Sequence, residues 1–132
     1  MTRRIHQGTP LTVRAYLTDI DNAPITEAQV EKWSMFIFDM SGQDGPALQD
    51  EHTLRDQSPA GIVLDTPQVS ETWPYPEGFN FEVTATTLSE TPLTAGHTYR
   101  AEFVIHLVGG GPLVFRQVFA VEDTLSFGSW SS

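Results

Sequence analysis

The chain runs to 132 residues, about one domain's worth, with 7 Lys plus Arg against 17 Asp plus Glu, a formal balance of −10 at pH 7. That sign argues against nucleic acid or an anionic membrane surface as partner, since both need a basic face that releases counterions. The absence of cysteine excludes disulfide scaffolds, thiolate metal sites and Cys nucleophiles, while 39% hydrophobic residues and eight Phe exclude intrinsic disorder.

Residues 1–8 (MTRRIHQG) carry two cations with no apolar stretch behind them, and no run approaches the roughly 18 apolar residues of a spanning helix. We therefore expect a protein made and kept in a cytoplasm, without a secretion signal. Residues 1–10 read as an N-terminal arm, because they lack a strand-length apolar pattern.

From residue 11 onward, period two dominates. Leu11, Val13, Ala15 and Leu17 alternate with Thr12, Arg14 and Tyr16, as in a half-buried strand, and Asp19, Asp21, Asn22 and Pro24 then make a turn. The opening Asp-x-Asp-Asn resembles the start of a calcium loop. It lacks the glycine at the sixth position and the glutamate at the twelfth, so a turn whose Asp side chains bond their own backbone is the expected reading. Residues 26–32 allow one helical turn. Residues 33–40 are apolar on both phases, with Trp33, Met35 and Ile37 on one and Phe36, Phe38 and Met40 on the other, which predicts a central strand covered on both sides.

Two irregular stretches follow, 41–61 and 66–78, each long enough to be functional or mobile. A short helix is expected within 47–54, and short strands at 62–64 and 79–83. The cleanest alternation lies at 99–107, where Tyr99, Ala101, Phe103, Ile105 and Leu107 share one face. Gly109, Gly110 and Gly111 turn that strand into another at 113–121, whose pattern stumbles at Arg116 and Gln117 and suggests a bulge. The expected core is Leu11, Val13, Leu17, Trp33, Met35, Ile37, Phe81, Tyr99, Phe103, Ile105 and Phe119. About six or seven strands separated by turn residues predict an all-β sandwich or barrel.

The chain offers no nucleophile elbow, no phosphate-cradling loop and no His-x-x-x-His spacing among His6, His52, His97 and His106. Paired carboxylates for glycoside hydrolysis need a separation that a sequence does not show, and an acidic solvated surface accounts for them. We expect no enzyme, no cofactor and no metal. Trp73 and Tyr75, set between Pro74 and Pro76, put two rings on a stiff segment. They read either as a platform for sugar or protein, or as a lid packed over one end of the sandwich. Residues 124–132 form a small, polar C-terminal tail in which Phe127 and Trp130 need a surface to bury against.

The segment Gln7-Gly8, then LTVRAYLTD from Leu11, Ala23-Pro24-Ile25, Ala28-x-Val30 and Phe38-Asp39 resembles the opening of immunoglobulin-like domains in tailed-bacteriophage virion proteins. LTAGHTYRAEF from Leu93, a glycine hairpin and Val118-Phe-Ala-Val121 resemble the same family's ending, so the likeness covers most of the chain outside 41–78. The cysteine pair and partner Trp of antibody domains are missing; Tyr99 falls where such folds place a tyrosine corner.

The resemblance implies an Ig-like β-sandwich of about seven strands with Greek-key connections over residues 11–123. It also implies a role as a structural virion protein, a capsid decoration (cement) or head–tail neck component. Expected partners are capsid or portal and tail subunits, with homo-oligomers in the particle, and not nucleic acid or membrane. Arg3, Arg4, Trp73, Tyr75, Phe127 and Trp130 are the docking candidates. The alternative is a carbohydrate-binding or host-contact module using Trp73 and Tyr75.

Overall fold

Alternating apolar residues fold into strands whose inward phases meet face to face. The computed structural model describes residues 3–70, 73 and 76–123. Its strands are β1 (Arg3–His6), β2 (Leu11–Ala15), β3 (Val30–Asp39), β4 (Ala47–Leu48), β5 (Leu54–Gln57), β6 (Val63–Gln68), β7 (Phe79–Ala85), β8 (Thr98–Leu107) and β9 (Pro112–Glu122). A single α-helical turn, α1 (Thr87–Glu90), and 3-10 turns at Glu27–Gln29 and Asp50–His52 complete the described elements. The large sheet has the order β1-β9-β8-β3-β4, with β5 also paired to β3, and the small sheet has the order β2-β7-β6. The protein is an all-β sandwich. The chain crosses between sheets at β1 to β2, β2 to β3, β5 to β6 and β7 to β8.

All eleven residues expected in the core are buried. Phe81 of the small sheet sits at its centre, edge-on to Trp33 at 5.9 Å, Phe103 at 5.6 Å and Phe115 at 5.4 Å between ring centroids, a geometry that suits the ring quadrupoles. Asn80 is wholly buried and makes three bonds. Its Oδ1 accepts from the Leu17 N–H at 2.7 Å, while its Nδ2 donates to the carbonyls of Leu17 at 2.7 Å and Ile25 at 3.0 Å, pinning the β2–β3 crossover to the small sheet. At the tip of that crossover Asp19 Oδ1 accepts from the N–H groups of Asp21 and Ala23, at 2.9 and 3.0 Å, so the carboxylate shapes a turn.

Gly78 opens β7 at φ +84°, where a Cβ would lie 2.5 Å from the carbonyl oxygen of Gln68; only glycine fits there. Tyr99 is buried, and its Oη accepts from the Thr94 N–H at 2.9 Å.

Several expectations need correction. Residues 3–6 are not a loose arm. They pair in parallel with β9, Arg3 opposite Phe119 through His6 opposite Glu122. Backbone bonds hold this strand, so it needs no apolar pattern of its own. The strand at 113–121 has no bulge, because its register with β8 runs unbroken from Thr98–Ala120 to His106–Pro112. The pattern stumbles because polar Gln117 occupies an inward-phase position opposite Ala101. In place of a short helix, residues 47–54 hold β4 and a 3-10 turn. Finally, β3 is covered by the opposite sheet on one face only. Trp33, Met35 and Ile37 are buried, but Phe36 and Phe38 point out of the sandwich and remain half-exposed.

Candidate docking surface

The outward phase of β3 carries Phe36 and Phe38, and their neighbours across the ladder are Glu102 and Arg100 of β8, then Arg116 and Val118 of β9. A row below, Ser34 faces Val104 and Val114; another row below, Lys32 faces His106 and Pro112. Among the described residues no second layer lies over this face, so these side chains cover one another. The Arg100 guanidinium lies 5.0 Å from the Phe38 ring centroid, and that of Arg55, from β5, lies 5.2 Å from Phe36. Each cation rests on an aromatic face, which holds its charge at the surface without full hydration.

Glu102 sits between two arginines. Its Oε2 accepts from Arg116 Nε at 3.0 Å and stands 3.5 Å from Arg100 Nη2. Lys32 pairs with Asp56 at 3.1 Å, and Arg4 with Glu122 at 3.2 Å. Asp56 adopts φ +51° where β5 departs from regular pairing with β3, and its N–H donates to Ser34 Oγ at 3.1 Å.

Five of the seven basic residues, Arg4, Lys32, Arg55, Arg100 and Arg116, thus lie on one sheet face of a protein with formal charge −10. Interleaved with them are Phe36, Phe38, Val104, Val114 (45% exposed) and Val118 (39% exposed), with Met40 and Leu48 at the margin. Aromatic and arginine side chains with a thin apolar fill are the composition that protein interfaces favour.

Of the expected docking residues, Arg3, Arg4 and Trp73 are among those described. Arg3 and Arg4 are neighbours in β1 and therefore diverge. The Arg3 guanidinium donates to the Thr12 carbonyl of the small sheet, whereas Arg4 reaches Glu122 on the large one. Burial and the nearby Arg14 charge lower the Arg3 pKa from its usual value. Trp73 is half-buried, its ring edge-on to Phe79 at 5.8 Å and its Nε1 donating to the Gly78 carbonyl at 2.8 Å. These contacts turn the indole toward the protein. Tyr75, Phe127 and Trp130 lie outside the described residues.

Two further titratable groups are perturbed away from this face. Burial acts to raise the Asp39 pKa, but the Ser41 N–H and His97, whose Nδ1 is 2.8 Å from Asp39 Oδ2, outweigh it and hold the carboxyl below its usual value. His52 is wholly buried beneath α1, 3.3 Å from Thr87 Oγ1. Burial lowers its pKa, against the opposing pull of Glu51 and the Thr91 backbone. Among the described residues no group of three or more His, Asp or Glu is placed to hold a metal ion, and no helix is long and apolar enough to cross a membrane.

The sequence reading missed the patch because Phe36 and Phe38 look the same in a sequence whether a second layer or an arginine covers them. The available signal was that Lys32, Arg100 and Arg116 all fall on the outward phase of their strands. No protein-family model, curated protein or solved structure matches the chain.

Proposed function

We propose that this chain is a non-enzymatic structural virion protein of a tailed phage, a capsid decoration or head–tail component. In this reading it docks onto a protein lattice through the outer face of its large sheet. The single observation that carries the docking is the gathering of five of seven cations with half-exposed Phe36 and Phe38 on one face of an acidic molecule. A partner that presents carboxylates between apolar side chains complements it, with the arginines setting orientation and the rings supplying burial.

Three features support the Ig-like and phage parts of the reading. One is the residue resemblance over both ends of the chain. Another is the strand order, in which β9-β8-β3 with added strands beyond β3 faces β2-β7-β6, as in variable-type Ig sandwiches. The last is the bond from the Thr94 N–H to Tyr99. Phe127 and Trp130 remain proposed anchors on neighbouring subunits.

Mass spectrometry of purified virions from the source that encodes the chain tests the proposal. Its peptides should be present at a fixed ratio to the major capsid subunit. A chain carrying Phe36→Ser and Phe38→Ser should sediment free of the particles with an unchanged far-UV circular dichroism spectrum. Virions that contain no copy of the chain would overturn the reading.

A further inference from the structure

Among the described residues, the outer edge of β9 is paired along only part of its length. β9 spans eleven residues, yet β1 lies beside Phe119, Ala120, Val121 and Glu122 alone. Among the described residues no strand lies alongside the remaining stretch, 112–118. Which backbone groups this leaves open follows from the ladder. The Val121 N–H donates to the His97 carbonyl on the β8 side, and the Glu122 carbonyl accepts from the Gln7 N–H on the β1 side. Antiparallel bonding alternates, so the odd residues from 113 to 121 face β8 and the even ones face outward. The N–H and C=O of Val114 and Arg116 and the N–H of Val118 therefore point off the edge. Gln117 Nε2 donates to the Val118 carbonyl at 3.0 Å, a side chain standing in at one of the outward positions.

Edges of this kind are normally blunted by charge, proline or a covering element. Here Pro112 guards one end and Arg116 points to the outer face, but Val114 and Val118 stay substantially exposed. On the inner side Leu113 and Phe115 are only partly buried, because the three-stranded small sheet does not reach across the full width of the large one. A strand added here would pair with the open groups of Val114 and Arg116, and its inward side chains would cover Leu113 and Phe115.

We infer that this edge accepts residues 124–132 of a second copy of the chain as an added strand. The segment Thr124-Leu125-Ser126-Phe127 alternates small polar with large apolar residues, and 124–132 contains neither a charged side chain nor a proline. Leu125 and Phe127, two residues apart, share one face of an extended strand and match the Leu113–Phe115 strip. Nine residues span the seven-residue edge. β1 already occupies the edge beside 119–122. A tail leaving Glu122 would spend about 13 Å of chain at roughly 3.3 Å per residue passing it. A neighbour's tail approaches without that detour. The exchange closes into a two-fold dimer or continues as an open chain of subunits.

Analytical ultracentrifugation of the full chain over a concentration series should show 14.6 kDa monomer giving way to twice that mass or more. Protein ending at Asp123 should stay monomeric and bind a dye-labelled peptide of residues 124–132 saturably. Val114→Pro removes an outward N–H without touching a β8 bond. It should weaken peptide binding at least tenfold at unchanged circular dichroism, and Val114→Lys, a charged guard on the same edge, should do the same if the proline variant fails to fold. The inference is overturned by a full chain that stays monomeric throughout, which includes the case of a tail seated on its own edge. It is equally overturned by truncated protein that still associates, or by peptide binding that neither variant weakens.

Discussion

The two sheets share one core but finish their outer faces differently. On the small sheet, polar side chains opposite each other satisfy one another. Thr12 and Thr84 hydroxyls meet at 2.9 Å, and Arg14 Nε donates to Glu82 Oε2 at 2.6 Å with its guanidinium 4.6 Å from the Phe79 ring. On the large sheet, arginines lie over half-exposed phenylalanines, and apolar residues stay in contact with water. Cross-strand pairs on the first face complete a solvated surface; the second face is left with area to bury. The difference separates a face whose polar groups are satisfied within the fold from one that leaves apolar area in contact with water.

The largest expected effect lies beneath both faces. Phe103→Ala should lower stability by about 3–5 kcal/mol, read from urea unfolding, because the cavity opens among Phe81 and Phe115 and the close packing of the two sheets cannot refill it. A loss under about 1 kcal/mol would mean that the sheets are not packed in this register. Asn80→Ala should cost about 1–3 kcal/mol by stranding the Leu17 and Ile25 backbone groups. Gly78→Ala should cost about 1–2 kcal/mol for the left-handed backbone, with the contact at Gln68 adding to it; a neutral result would show that the loop entering β7 can shift.

The pH dependence sharpens the view of the sandwich end beneath α1. His52 has a lowered pKa in the fold, so below about 6.5 the unfolded chain takes up a proton that the native state resists. Stability should therefore be full above that pH and decline as pH falls from there toward the lowered folded value. A His52→Phe variant should lose this slope, even if its overall stability changes. Asp39 acts in a more acidic window. Its contribution is present above the ordinary carboxyl value of 3.8 and fades as pH falls below it, so His52 is the group to follow near neutrality.

The smallest effects on stability carry the sharpest contrast between the faces. Thr84→Val on the small sheet should fall within about 0.5 kcal/mol and leave particle binding unchanged. Phe38→Ser on the large sheet should cost about 1 kcal/mol or less in unfolding, the scale of an exposed cation–π contact, yet lower particle binding at least tenfold. Equal binding by both variants would remove the distinction drawn between the faces.

What was legible in the sequence follows from the same contrast. Strands with one buried face announced themselves by period two, from Leu11-x-Val13 to the Tyr99–Leu107 run, and so did the Asp19 turn, since short-range chemistry determines both. β1 was not legible because an edge strand held by main-chain bonds leaves no apolar trace. β4 and β5 were too short to show a period. The candidate docking face was hidden because Arg55, Arg100 and Arg116 lie far apart in the chain and meet only through ladder register, which strand patterning alone does not reveal.

The parallel pairing of β1 with β9 also has a mechanical meaning. Two strands that run the same way, one near the start of the chain and one near its end, are loaded lengthwise when those ends are pulled apart. Tension entering at Arg3 and leaving at Glu122 loads the four register pairs together, along with the Gln7–Glu122 backbone bond, so they bear the force in shear instead of opening one after another. A subunit tethered through both ends to neighbouring subunits would thus transmit strain across the assembly while its core stays packed.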